Sequence, residues 1–155
     1  MIQHQDYVRY RPVLLPDSFI LGAVAQIVPG GLRAIELTDA AEKQAKIVYV
    51  MADDVGAVLR VGQTGRTFAE RWSTPLSWLD LDSVRRPIRP NEIKDMETIR
   101  KNLRGRLLTV WIKTAEEHSL SYLGEVHPVS LRHSEEIYLD RVLKPVIGQP
   151  LSIRD

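Results

Sequence analysis

The chain has 155 residues, 44% of them hydrophobic and 26% charged, which fits one domain with a modest extension and excludes a disordered chain. With no cysteine, a disulfide scaffold, a thiol nucleophile and any cysteine-ligated zinc or iron–sulfur centre are excluded, and a bound metal should be oxygen-ligated through a carboxylate. The formal net charge is +1, so bulk electrostatics alone do not point to a nucleic-acid partner.

Residues 1–45 read as an N-terminal extension ahead of a compact domain at 46–155. The opening MIQHQDYVRYRPVLLP lacks the basic and apolar regions of a secretory signal, so a soluble, cytoplasmic protein is the expectation. Asp17 or Ser18 as a cap, and the stop at Pro29-Gly30-Gly31, predict a short helix through FILGAVAQIV at 19–28. That run falls short of the roughly 20 apolar residues that cross a bilayer, so no membrane partner is expected. LRAIEL at 32–37 reads as a short strand. Both runs are short enough that their period separates helix from strand poorly.

Two β-branched and aromatic runs follow, KIVYVMA at 46–52 and AVLRVGQ at 57–63. Asp53-Asp54-Val55-Gly56 between them suits a tight connection, so the pair reads as a β-hairpin. Gly62 to Gly65 reads as a loop, and Thr67 with Glu70 has the spacing of a capping box for a helix that continues through Arg71 and Trp72. From Arg60 to Arg106 there are 11 basic residues against 6 acidic, while the rest of the chain holds 10 against 14. Arginine outnumbers lysine 15 to 6, and its rigid fork of donors matches phosphate better than an ammonium does. A nearly neutral chain can thus present one positive face.

A Pro-rich connection leads to a helix expected at 90–104, which places Ile93, Met96, Ile99 and Leu103 near one face. A third strand fits 106–112, and a helix at 132–143 ends before Pro145. His118 and His127 fall in what reads as a loop. The order hairpin, helix, helix, strand, helix gives an α+β class with a small, mainly antiparallel three-stranded sheet flanked by helices, an N-terminal extension and a helical insertion.

Three side chains stand out within that frame: Tyr49 in Ile47-Val48-Tyr49, Arg71 on the helix after Arg60-Val61-Gly62, and Glu136 in EEIYLDRVLKP. Tyr49 lies 11 residues before Arg60, and Glu136 lies nine before Pro145. With these residues and spacings, 46–148 resembles the GIY-YIG nucleases. That resemblance implies an essential arginine at Arg71, a divalent cation, Mg²⁺ or Mn²⁺, bound by Glu136, and a water positioned or deprotonated by Tyr49. It further implies DNA as substrate, with Arg60, Gln63 and Arg66 along its backbone. The sequence departs from the pattern at Ile47 for the first glycine, Arg60 for the second tyrosine, Gln63 for a basic residue and Gly148 for the terminal asparagine.

The residue types suit the chemistry. An arginine fork stabilises the charge that builds on phosphate oxygens, and a carboxylate-held cation acts as a Lewis acid at the leaving oxygen. Each residue also has an ordinary reading: Tyr49 as sheet core, Arg71 as a solvated helix residue, and Glu136 as an ion-pair partner of Arg132 four residues earlier. His133, three residues before Glu136, would share its helix face and permits a joint metal site. Trp72 and Trp78 suit either base stacking or packing. The expected function is a divalent-metal-dependent DNA endonuclease of restriction, repair or toxin type, in the last case delivered into a target cell. The alternative is a catalytically inactive module of the same fold that binds nucleic acid or a protein. Sequence is silent on whether the chain pairs with a second copy.

Overall fold

The computed structural model describes residues 6–28, 31–72 and 105–145. Its organising strand is β3 (Ala45–Ala52), in which Ile47 to Ala52 are all buried. Alternation sends Ile47, Tyr49 and Met51 to one face and Val48, Val50 and Ala52 to the other, so each face needs its own cover. On the first face lie Ala41 of α1 (Asp39–Glu42) and Phe68 and Trp72 of α2 (Phe68–Trp72). The second is covered by Leu139 of α3 (Arg132–Leu143) together with Leu15 and Phe19.

β3 pairs antiparallel with β4 (Val58–Thr67) on one side and β5 (Leu108–Thr114) on the other. This is the expected hairpin plus third strand. Asp53 closes the hairpin, its Oδ1 accepting from the Val55 and Ala57 N–H groups at 3.0 and 2.9 Å. The Thr67 hydroxyl accepts the Glu70 N–H at 3.2 Å and caps the start of α2. α3 has the predicted bounds and ends with Lys144 in a left-handed conformation.

Four expectations are corrected. The stretch at 19–28 is not a helix: β1 (Ile20–Val28) pairs antiparallel with both β5 and β2 (Gly31–Leu37), the latter being the strand expected at 32–37. The sheet therefore has five strands, ordered β2-β1-β5-β3-β4, rather than three. The physical reason is β5, whose second edge would otherwise carry unpaired backbone groups. The supposed loop from Gly62 to Gly65 continues β4 to Thr67, because its backbone groups pair with β3 down to Ala45. His118 and His127 sit in a hairpin of their own, β6 (Glu117–Tyr122) with β7 (Glu125–Ser130), turned at Leu123-Gly124. The helix expected at 90–104, and Trp78, lie outside the described residues.

Residues before β1 seal the second face. The Arg11 guanidinium lies 5.1 Å from the Trp111 ring centroid and donates to the Phe19 and Pro16 carbonyls. Among the described residues no helix is long and apolar enough to cross a membrane.

The tightest approach in the sheet is between Tyr49 and its cross-strand partner Gly62. A Cβ at position 62 would overlap Cζ and Oη of Tyr49 and lie 2.7 Å from Cε2. Gly62→Ala is therefore expected to lower stability by about 1–3 kcal/mol, the usual cost of overpacking, in urea unfolding. Tyr49→Phe in the Gly62→Ala background removes the hydroxyl overlap and should recover part of that loss; strictly additive effects would contradict this packing.

Candidate active site

β4 is an edge strand, with α2 against one of its faces and α3 against the other. Residues from both helices can therefore meet around it. On α3, neighbouring glutamates have different tasks. Glu135 forms an ion pair with Lys113 of β5, and its Oε2 accepts the Glu116 N–H at 3.2 Å, so it ties the helix to the sheet. One position on, Glu136 turns inward and is 6% exposed. Asp140, one helical turn later, is 3% exposed, so two buried carboxyls stack on the inner face of α3.

Burial pushes the Glu136 carboxyl up from its ordinary 4.5 to about 7; the positive charge of Arg60 opposes the rise and Asp140 adds to it. Arg60 is half-buried on β4 and supplies the positive charge that acts on Glu136. Gln63, two positions beyond Val61, accepts a hydrogen bond from Arg132 Nε at 2.8 Å. Against the ordinary reading of Glu136 as an ion-pair partner of Arg132, the bond that Arg132 makes runs across to β4. Arg132 was not singled out as a site residue in the sequence; its partner lies 69 residues away, beyond any local spacing signal.

Tyr49 is buried at 2% exposure, its ring edge-on to Trp72 with centroids 5.5 Å apart and planes at 88°. Trp72 is fully buried in the same cluster, so it serves packing rather than base stacking. Arg71 is half-buried on α2, and Arg66 is exposed on β4. Among the described residues no hydrogen bond or ion pair links Arg71 or Arg66 to Glu136. Arg60 and Asp140 thus lie near enough to act on Glu136, and Arg132 of α3 reaches Gln63 of β4, whereas Tyr49 lies beside Gly62 on the face covered by α2. His133 is exposed, unlike Glu136.

Among the described residues no group of three or more His, Asp or Glu side chains forms a metal cage. The pair Glu136 and Asp140 nevertheless fits a hard cation of the magnesium type, which commonly takes one or two carboxylates and keeps its waters. A carboxyl that burial holds at about 7 also gains its charge most readily beside a cation.

No protein-family model and no curated protein sequence matches the chain. Two solved structures share its fold. A mutant of bacteriophage T4 EndoII superposes with a TM-score of 0.52 at 11% identity, covering 83% of this chain and 90% of that one. Restriction endonuclease HPY188I in complex with product DNA gives 0.51 at 13% identity, covering 90% and 82%. The chain shares the fold of both. At these identities the likeness speaks for the fold alone.

The raised carboxyl makes a signed prediction. Folded Glu136 keeps a proton that the unfolded chain releases near 4.5, so its contribution to stability is full below that pH and is lost as pH rises through about 7. Glu136→Gln should therefore gain on the wild type between pH 5 and pH 8, by an amount on the order of 2–3 kcal/mol in metal-free urea unfolding. A pH-independent difference would contradict the burial of this carboxyl.

Proposed function

We propose that the protein is a DNA endonuclease that hydrolyses phosphodiester bonds with one divalent cation, Mg²⁺ or Mn²⁺, held by Glu136. The observation that carries this reading is the inward carboxyl of Glu136 under the charge of Arg60, set on a fold shared with two DNA endonucleases. Glu136 holds the cation with help from Asp140, and the bound cation supplies Lewis-acid stabilisation of the leaving oxygen. Arg71 clamps the scissile phosphate and stabilises the charge of the transition state, a role whose removal typically costs ~10²–10³ in rate. Tyr49 orients the attacking water through Oη or, as the phenolate, takes its proton there. Arg60, Gln63 and Arg66 line the path of the backbone along β4. The outgoing bond is phosphorus to oxygen, and the incoming oxygen comes from water, so the products are a phosphate monoester and a hydroxyl end.

A second reading has its own support. Tyr49 is as deeply buried as a packing residue, which suits a module of this fold that binds nucleic acid without cutting it. The two readings part in one assay. Plasmid DNA with Mg²⁺ or Mn²⁺ should be nicked or cut by the wild type, and Arg71→Ala and Glu136→Ala should each lose at least ~10²-fold in rate. Salt-dependent binding with no cleavage in either metal would favour the binding module. Wild type and both variants leaving the plasmid equally intact, without binding, would end the nuclease reading.

A further inference from the structure

Some cations of the fold pair with carboxylates, while Arg11 donates to backbone carbonyls instead. Arg106 pairs with Asp54 and Asp53, Lys113 with Glu135, and Lys46 with Glu117. Arg132 is held differently. Its Nε donates to the amide oxygen of Gln63, a neutral partner, at 2.8 Å. Neither of its terminal nitrogens makes a hydrogen bond or ion pair among the described residues. Among the described residues no carboxylate is paired with its head, and the Nε bond fixes the plane in which the terminal donors lie.

The space beside that head is left open by Gly65. A Cβ there would come no closer than 3.5 Å to Arg132 Nη2, 3.6 Å to Cζ and 3.8 Å to Nε, so even a small side chain at 65 would lie against the guanidinium. Gly65 itself is exposed, and Arg132 is half-buried. An oriented, un-neutralised guanidinium at the solvent edge of β4, one helical turn before Glu136, has the chemistry of a bidentate phosphate contact. We propose that Arg132 binds a backbone phosphate of DNA, presented by Gln63 and reached across Gly65. This assignment rests on the nuclease reading, since it takes DNA as the ligand.

The test is equilibrium binding of a short DNA duplex to the full chain without metal, across a range of salt. Thermal unfolding of each variant confirms that it folds. Arg132→Ala should weaken binding roughly 10- to 100-fold and reduce the slope of log K against log salt by about 1. Gly65→Leu keeps every charge but covers the guanidinium, and it should weaken binding as well. Wild-type affinity and slope in Arg132→Ala, with wild-type protein binding and cutting DNA, would overturn this assignment and leave the nuclease reading intact. Wild-type affinity in Gly65→Leu would overturn the route across Gly65. A wild-type chain that neither binds nor cuts DNA would overturn the nuclease reading and the assignment together.

Discussion

The close approach of Tyr49 to Gly62 sets the spacing of everything around it. The tyrosine ring lies across the neighbouring strand where no side chain stands, which lets Trp72 meet it edge-on and seats α2 against the sheet. β4 is an edge strand with an apolar cluster on each face, Leu59 toward α2 and Val61 toward α3. The register of the hairpin follows from the pair Tyr49 and Gly62, since a one-residue slip would place Val61 or Gln63 under the ring.

α3 completes the arrangement through a division of labour along its length. Glu135 anchors its first turn to β5, Leu139 packs into the second core cluster, and Glu136 and Asp140 turn their carboxyls toward the same interior. Stability alone gives no reason to bury two carboxyls one turn apart, because desolvation disfavours their charge. A site that gathers charge for chemistry supplies one. The charge of Arg60 acts on Glu136, while Arg132 is tied to Gln63 of β4.

Much of this was legible wherever the signal is local. The hairpin, its Asp53 turn, the Thr67 cap and both ends of α3 rest on residues within a few positions of one another. What was misread rests on distant partners. FILGAVAQIV has no decisive period, and its pairing with β2 and with β5, more than 80 residues later, makes it a strand. Gly62 to Gly65 looks like a loop by composition, yet pairing with β3 keeps it extended. For the candidate site, the spacing to Pro145 singles out Glu136, whereas its burial and its link to Arg60 carry no local sequence signal. Arg132 looked like an ion-pair partner one turn from Glu136, because helix spacing carries no information about Gln63 on another strand. The charge count behaves likewise: a net +1 hides an arginine-rich stretch that opens at Arg60, the residue whose charge reaches Glu136.

The most direct measurement is a crystal structure of the full chain with Mn²⁺ and a short DNA duplex that resists hydrolysis. The account predicts an anomalous peak at the Glu136 carboxylate and a backbone phosphate between that peak and the arginines at β4. Manganese absent from Glu136, or DNA seated on another face of the sheet, would contradict it.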